Sequence, residues 1–449
     1  MADLTVPKVA DRGERRSWWR RLTWTWAPAG EREAGDAVVR NFLLHWFPNR
    51  VAKRSLASSY TLWLGTVSAV LLLILTLTGV VLMFLYVPSV ERAYSSVKDL
   101  EYAVSFGRFL RATHRIAAHL MVLVVFLHMM RVFLTGGYKN GVGVRQHRPV
   151  NWWIGLAMLL ATLLLSFTGY LLPWDQLAFW AITVGTNIAS AVPGIGKGLR
   201  FFLLGGHSID QSALIRFYVL HCLLLPAVIG ALFVWHMWRI HKDGGLAARD
   251  RLAREQKAAP APPVPAKTYT LIGITAGRTA AVETALVDEE CHLVRSVPHL
   301  VTRLLLVALA TFAVTSVLAV WVGAPLEAPA NPDLTPNPAK APWYFLWLQE
   351  LVTVTTVRLG GFTVNGAFVG GVLVPGLLLL WAIVVPWIDR SGVAAVGAWF
   401  HRERRLANTL FLVVCVALIV LTVVGTFLRG PYWHFYWPWE AWPEPPPRF

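Results

Sequence analysis

Charge is scarce in this chain of 449 residues. Asp, Glu, Lys and Arg together make up 15% of it, whereas hydrophobic residues make up 56%. Ordinary soluble domains are about a quarter charged. The composition therefore excludes an intrinsically disordered chain, argues against a soluble enzyme and favours a protein that lies in a membrane.

Cysteine is scarcer still, since Cys222, Cys291 and Cys415 are the only three. They are too few and too far apart for a framework of disulfide bonds. None of them forms a Cys-x-x-Cys or Cys-x-x-Cys-His motif. The sequence thus excludes a zinc site of that type and a c-type haem attached through cysteines.

Acidic residues are outnumbered by basic ones, 25 to 41, which gives a formal net charge of +16. In a membrane protein such an excess is typical of basic cytoplasmic loops, and we predict no nucleic acid partner. Residues 1–58 are basic but lack the apolar core of a signal peptide, so we expect them to be retained. Residues 41–46 are predicted to form an amphipathic helix on the membrane surface. A solvated basic tail is the alternative for residues 1–36.

Long apolar runs dominate the rest of the chain. A membrane-spanning helix needs about 20 mostly apolar residues, and seven windows qualify, with the rough bounds 60–86, 115–136, 151–172, 214–240, 301–323, 367–388 and 407–428. The sequence therefore predicts an all-α integral membrane protein with seven transmembrane helices. A charged, Ala/Pro-rich stretch at 247–267 predicts a linker. The predicted regions are a basic N-terminal region (1–58), a four-helix domain (59–245), a cytoplasmic linker (246–298) and a three-helix domain (299–449).

The loops differ in charge according to the side on which they would lie. Basic residues concentrate in the N-terminal region and in the loops 131–148, 242–267 and 390–405, which share one side. Because basic loops stay in the cytoplasm, we predict a cytoplasmic N-terminus and an external C-terminus.

Four histidines within the predicted helices form two matched pairs. His114 and His128 are 14 residues apart in the second helix, and His221 and His236 are 15 apart in the fourth. At about 100° and 1.5 Å per residue, each pair lies on one helix face, separated by about 21–22 Å. Two such helices can place one histidine opposite another at two depths, and each facing pair can ligate one haem iron. We therefore predict that the first four helices form a diheme bundle. A single intramembrane histidine can instead be a hydrogen-bonded or cavity-facing polar group. We interpret the unmatched His119 as a packing or polar residue.

Glycines repeat the same spacing. Gly65 and Gly79 in the first helix are 14 residues apart, as are Gly155 and Gly169 in the third. A glycine lets a flat ring approach the backbone. Ordinary small-residue helix packing is the alternative, but two pairs at the histidine spacing favour haem.

Arginines near these positions are candidates to bind the anionic haem propionates, because the guanidinium is planar and always charged. Arg111 and Arg115 flank His114, Arg131 follows His128 by three residues, and Arg216 lies in the fourth helix. Positive-inside anchoring is the alternative role for Arg131.

Several segments resemble cytochrome b of the quinol–cytochrome c reductases, above all its plastoquinol-oxidising b6 type. The second helix and the segment after the third read RATHRIAAHLMVLVVFLHMMRVFLTGGYK (111–139) and SFTGYLLPWDQLAFWA (166–181). The fourth helix has the 15-residue histidine spacing of the b6 type. Further matches lie at 216–242, 297–305, 337–350 and 384–390. The resemblance covers residues 40–440, with the family's N-terminal and C-terminal portions fused.

The resemblance implies a subunit with two non-covalent b-type haems and two quinone sites. By matching position, His114 and His221 would bind the haem nearer the external face, and His128 and His236 the haem nearer the cytoplasm. Quinol would be oxidised in an external pocket formed by 169–179 and 342–344, which includes Trp343 and Tyr344. One electron would pass to a Rieske iron–sulfur protein and on to a c-type cytochrome. The other would cross to a quinone near the cytoplasm, which contributes to the proton-motive force.

The resemblance also implies a homodimer within a larger complex and contact with membrane lipid. Together with the basic loops and the lack of a cleavable signal, it predicts a bacterial inner membrane protein. The b6 family carries a cysteine that tethers an extra haem, and Thr61 occupies that position here. We therefore expect acid acetone to extract all haem.

The chain departs from the family in its quinol-oxidising loop, which usually reads Pro-Glu-Trp-Tyr. Here the loop reads Ala-Pro-Trp-Tyr, so Pro342 replaces the carboxylate thought to take a quinol proton. Glu350, eight residues further on, is the predicted substitute, and Asp175 is the second choice. A surface charge without this role is the alternative for Glu350.

Two other functions are consistent with parts of the sequence. The protein could be a diheme membrane anchor that passes electrons in a complex without a Rieske protein, which the missing loop carboxylate would allow. It could also be a haem-free channel or transporter whose histidines line a polar path. A co-purified Rieske protein would separate the first alternative from the main prediction, and haem absorbance would exclude the second.

Overall fold

The computed structural model describes residues 48, 50–141, 146–243, 245–247 and 293–441. The predicted surface helix at 41–46, the tail 1–36, Cys291 and nearly all of the linker 247–267 lie outside these residues. By contacts between backbone positions, the chain divides into two units. One contains residues 1–60 and 270–306, and the other contains residues 61–269 and 307–449.

Seven helices among the described residues are long and apolar enough to cross a membrane, which confirms the predicted architecture. They are α1 (Leu64–Leu85), α3 (Gly107–Leu134), α4 (Arg148–Leu171), α7 (Gln211–Lys242), α8 (Ser296–Val322), α10 (Gly366–Ile388) and α11 (Arg402–Leu428).

Shorter elements connect these helices. The helices are α2 (Ala93–Tyr102), α5 (Gln176–Ser190), α6 (Gly196–Leu204) and α9 (Trp343–Thr355). Single helical turns occur at Lys53–Leu56, Ser58–Thr61, Val393–Ala395 and Pro431–Trp433. In the first unit, β1 (Arg50–Ala52) pairs antiparallel with β2 (Leu293–Arg295). In the second, β3 (Arg358–Leu359) and β4 (Phe362–Thr363) form a hairpin.

The helices α1 and α3 pack through a row of apolar side chains. Leu71 and Ile74 of α1 are buried against Ala117 and Met121 of α3. The spacings of three and four residues place each pair on one helix face. This contact brings the glycines of α1 beside the histidines of α3.

A proline interrupts the hydrogen bonding of α10 at Pro386. Proline has no N–H, so the carbonyl four residues earlier, that of Ala382, loses its helical donor. Trp152 of α4 donates its indole N–H to this carbonyl at 2.7 Å, and Trp153 donates to the next carbonyl, that of Ile383, at 2.9 Å. An unpaired carbonyl is costly in a membrane, so these two indoles stabilise the packing of α10 on α4.

A buried polar cluster centred on Asp389 lies just after α10, close to these tryptophan contacts. The Asp389 carboxylate accepts hydrogen bonds from the Tyr138 hydroxyl (2.6 Å), Lys139 Nζ (3.0 Å) and Arg404 Nε (2.8 Å). Burial by itself would raise the pKa of Asp389, but hydrogen bonds from Ser391, Tyr138 and Arg404 outweigh it and hold the pKa well below its usual range. The cluster therefore joins the segment after α3 to the loop between α10 and α11 through a carboxylate whose charged form is favoured.

Candidate functional site

Each of the four predicted histidines lies against one of the four predicted glycines. A methyl group built on Gly79 would lie 3.2 Å from His114 Cε1, and one built on Gly65 would lie 3.3 Å from His128 Cε1. The same construction gives 3.8 Å between Gly155 and His236 Cε1, and 2.5 Å between Gly169 and His221 Cε1. The glycines thus make room for the imidazoles themselves, whereas the sequence suggested only that they make room for a flat cofactor.

His114 of α3 and His221 of α7 face each other across the bundle. Their ring centres are 6.2 Å apart, with the ring planes at 75°. Two imidazoles that share one metal through bonds of about 2.0–2.1 Å have their ring centres about 6 Å apart. The pair is therefore spaced as two axial ligands of a single metal ion would be.

Hydrogen bonds fix which ring nitrogen of His221 carries the proton. Its Nδ1 lies 3.1 Å from the Leu165 carbonyl oxygen and 3.2 Å from Thr168 Oγ1. A carbonyl oxygen only accepts, and Thr168 donates its own hydroxyl proton to the Leu164 carbonyl. Nδ1 must therefore donate, which leaves the Nε2 lone pair of the neutral ring free for a metal.

His114 is held in the same way. Its Nδ1 lies 2.8 Å from Thr78 Oγ1, and Thr78 donates its hydroxyl proton to the Ile74 carbonyl at 2.6 Å. The sequence prediction omits both Thr78 and Thr168. The signal that could have found them is a Thr-Gly dipeptide that occurs at Gly79 and again at Gly169. Hydrogen-bonded neighbours of this kind orient metal-binding histidines.

His128 and His236 form the second pair, deeper along the same two helices. Each lies beside its glycine. Among the described residues, His128 Nδ1 has no hydrogen-bond partner, and the Asn151 carbonyl approaches His236 without reaching hydrogen-bond geometry. Two buried imidazoles with so few protein partners fit a bound haem. In the described part of the chain, no cluster of three or more His, Cys, Asp or Glu residues could hold a metal ion.

A π-helical turn in α7 explains the 15-residue spacing of its histidines. The turn covers Leu220–Leu224 and so includes His221. Pro226 has no N–H for the Cys222 carbonyl, which favours a wider turn at this point. In a regular helix 15 residues would leave the two rings about 60° apart. A π turn takes up an extra residue, so 15 residues in α7 match 14 in α3.

The four predicted propionate-binding arginines occupy different surroundings. Arg111 donates to Glu101 Oε2 at 2.9 Å and to the Ala324 and Pro325 carbonyls, which ties it to the segment after α8. Arg131 is 5% exposed and interacts with the His128 ring. Arg216 lies against Gly205, and Arg115 faces the tyrosines described below. Arg131 is thus the arginine that the structure places beside a histidine of the second pair.

Arg115 interacts electrostatically with Tyr170, Asp175 and Tyr344, which lie where α4 ends and α9 begins. The charge of Arg115 acts on all three side chains. Asp175 begins α5, and its carboxylate accepts from the backbone N–H groups of Ala178 (2.9 Å) and Glu327 (3.2 Å). Burial raises the pKa of Asp175, and it raises the pKa of Tyr344 to about 12. The structure thus brings together the predicted residues Asp175, Trp343 and Tyr344 at one end of the bundle.

An imidazole outside the predicted site joins this group. Trp343 Nε1 donates to His119 Nδ1 at 2.9 Å, and the His119 and Tyr344 ring centres are 5.5 Å apart. The next residue of α9, Phe345, packs edge-on against Phe167 of α4 at 6.1 Å. The sequence interpretation left His119 as a polar residue, and its only signal was an ionisable side chain inside an apolar helix.

Glu350 is fully buried and paired, so it is not a surface charge. It is 1% exposed, and both of its oxygens accept hydrogen bonds from Arg429, with the shortest contact at 2.5 Å from Arg429 Nη2. Arg429 also donates to the Trp433 carbonyl. The pair joins α9 to the segment that follows α11, so the Glu350 carboxylate is engaged in an ion pair.

Removing this carboxylate should destabilise the protein. We expect Glu350→Ala to cost about 3–5 kcal/mol, because it leaves the largely buried Arg429 without its counter-charge. The midpoint of thermal unfolding in detergent measures the change, with the exposed Glu91→Ala as control. The double variant Glu350→Ala/Arg429→Ala should recover part of the loss. A Glu350→Ala variant as stable as the control would show that the pair does not anchor α9.

Comparisons with known proteins agree on one family. The family model for cytochrome b/b6/petB matches residues 50–244, and the model for cytochrome b(C-terminal)/b6/petD matches residues 329–437. Cytochrome b from Cereibacter sphaeroides is 30% identical over 401 residues, which cover 84% of this chain and 81% of the relative. Cytochrome b6 from Prochlorococcus marinus (strain NATL1A) is 37% identical over 210 residues, which cover 44% of this chain and 94% of the relative.

A solved structure supports the fold independently. A chain of the hyperthermophilic respiratory Complex III superimposes with a TM-score of 0.64 at 21% sequence identity. The superposition covers 92% of this chain and 90% of that one. The likeness at this identity concerns the fold, and it extends through both halves of the chain.

Proposed function

The chain belongs to the cytochrome b/b6 family, with the N-terminal and C-terminal parts fused, and from this premise we propose that it oxidises quinol in an electron-transfer complex. It is a multi-pass membrane protein and the cytochrome b of a bc/b6f-type complex, and its family binds haem. The finer proposal is a quinol:cytochrome c oxidoreductase subunit with two b-type haems and two quinone sites.

The observation that carries the proposal is the facing pair His114 and His221. Both rings have their Nδ1 within hydrogen-bond distance of a threonine hydroxyl, which leaves the Nε2 lone pair of each neutral ring for a metal. In our proposal these residues hold one haem, and His128 and His236 hold the other. When bound, haem supplies one-electron carriers at two depths of the membrane. Arg131 is the side chain we assign to a propionate of the second haem.

The protein's own residues would position the quinol at the end of the bundle where α5 and α9 lie. Trp343 and Tyr344 supply aromatic rings, Asp175 and Arg115 supply charge, and Tyr170 interacts electrostatically with both charged residues. We place this end outside the cell, with the N-terminus in the cytoplasm of a bacterium. One electron from the quinol would go to a Rieske protein and then to a c-type cytochrome. The other would cross the inner membrane to a quinone near the cytoplasm, contributing to the proton-motive force. A homodimer is the proposed state of the subunit within its complex.

The test is a reduced-minus-oxidised spectrum of the purified complex, followed by a stepwise redox titration. We expect two b-type components, a co-purified Rieske protein and quinol-dependent reduction of cytochrome c. A single component would contradict the assignment of one histidine pair, and the absence of haem absorbance would contradict the whole proposal.

A diheme anchor without a Rieske partner is the second candidate. The observation that favours it is Pro342, which stands where the family usually has a loop carboxylate. This function would give the same two components but no Rieske protein and no reduction of cytochrome c by quinol.

A further inference from the structure

The proposed quinol pocket needs a group that takes a proton, and the two carboxylates predicted for this role are engaged elsewhere. Glu350 is bound through both oxygens to Arg429, and Asp175 accepts two backbone N–H groups. We propose that His119 is the catalytic residue that accepts the first proton of the quinol. This inference rests on the proposed function and deepens it.

His119 lies where such a group would have to be. It is on α3, five residues after His114, and it contacts both aromatic residues at the start of α9. Trp343 and Tyr344 begin that helix, and Phe345 packs on Phe167, next to the Thr168 that holds His221. His119 and the candidate quinol pocket therefore lie at the end of the bundle that contains the first histidine pair.

The bond from Trp343 defines the chemistry of His119. An indole N–H can only donate, so His119 Nδ1 accepts and its lone pair faces α9. A quinol hydroxyl is a donor of the same kind. Trp343 is 40% exposed, so its indole has room to withdraw. In our proposal the quinol O–H replaces it as the donor to Nδ1.

Proton transfer then follows along that hydrogen bond. The quinol O–H bond breaks and an N–H bond forms at Nδ1, giving an imidazolium and a quinolate with one negative charge. The quinolate becomes a quinone by passing two electrons to the one-electron acceptors of the proposed function and its remaining proton to water. A positioned general base of this kind contributes about 10²–10⁴-fold to a rate.

Arg115 is placed to stabilise the quinolate. It lies four residues before His119 on α3, on the same helix face. The charged and titratable groups around His119 are Arg115 on its own helix and Tyr344 on α9. Tyr170 and Asp175 belong to the same group because they interact electrostatically with Arg115. A fixed cation beside the pocket favours the anionic form of the substrate.

The first test is His119→Gln in the complete complex, assayed with a short-chain benzoquinol or naphthoquinol and cytochrome c. We expect kcat to fall about 10²–10⁴-fold, with KM changed less than about threefold and the b-type absorbance per protein unchanged. The wild-type rate should depend on pH through the protonation of one imidazole, and the variant should lose that dependence. The exposed His207→Gln is the matched control.

Other outcomes separate this inference from the proposed function. A wild-type complex that oxidises neither quinol would overturn both. A wild-type complex that oxidises quinol, with His119→Gln at the same rate and pH profile, would overturn the role of His119 alone. If Glu350→Gln loses the pH dependence and His119→Gln keeps it, the acceptor is Glu350.

The second test is Trp343→Phe, which keeps an aromatic ring and removes the N–H. If the indole competes with quinol for His119 Nδ1, KM for quinol should fall about 2- to 10-fold, the worth of one hydrogen bond. An unchanged or raised KM would contradict the competition. If His119→Gln fails to assemble with haem, Trp343→Phe still tests the proposal.

Discussion

Replacing His221 with alanine should remove one b-type component from the reduced-minus-oxidised spectrum and leave the other in place. His221 and His114 face each other with ring centres 6.2 Å apart, and hydrogen bonds hold both rings with Nε2 free. Without His221, only His114 would remain to hold the haem that we assign to this pair. We expect about half of the b-type absorbance to disappear and quinol oxidation to fall to background.

The pairing itself is tested by comparing the four variants. His114→Ala should remove the same component as His221→Ala, whereas His128→Ala and His236→Ala should both remove the other. The exposed His207, whose ring packs on Phe201, supplies the control His207→Ala, which should keep both components. If His114→Ala and His221→Ala removed different components, the facing pair would not be a pair of ligands to one haem.

Adding one methyl group at Gly169 should disturb the same component. A Cβ at this position would lie 2.5 Å from His221 Cε1, closer than atoms can approach, so the imidazole must move. Overpacking of this kind typically costs about 1–3 kcal/mol. Displacement would also break the bonds of Nδ1 to Leu165 and Thr168. We expect Gly169→Ala to lose or broaden the component assigned to His114 and His221.

Gly155→Ala is the matched control, because a Cβ there would lie 3.8 Å from His236 Cε1, an ordinary contact. We expect this variant to keep both components, with Gly79→Ala and Gly65→Ala between the two extremes. Redox titration of the four purified variants shows how far each one keeps its two b-type components. If Gly155→Ala lost more of the b-type components than Gly169→Ala, the glycines would be making room for something other than the imidazoles.

The architecture can be predicted from local sequence patterns. Seven apolar runs predict seven spanning helices, because backbone in a bilayer must satisfy its hydrogen bonds within a helix. The paired spacings of histidines and glycines predict which helices face one another, because helical periodicity converts residue number into direction and depth. These inferences need only local geometry, and the helices α1, α3, α4 and α7 confirm the predicted spans.

The tertiary structure alone decided how the side chains are used. Nothing local in the sequence distinguishes Glu350 as the partner of Arg429, which lies 79 residues further on, or His119 as the acceptor of a bond from Trp343. Thr78 and Thr168 orient histidines on other helices, and the π turn at His221 restores a register that an ideal helix would lose. Each of these depends on a contact between segments distant in the chain, or on a departure from ideal helical geometry. Periodicity fixes the face on which a residue lies, whereas packing between helices decides what that residue meets.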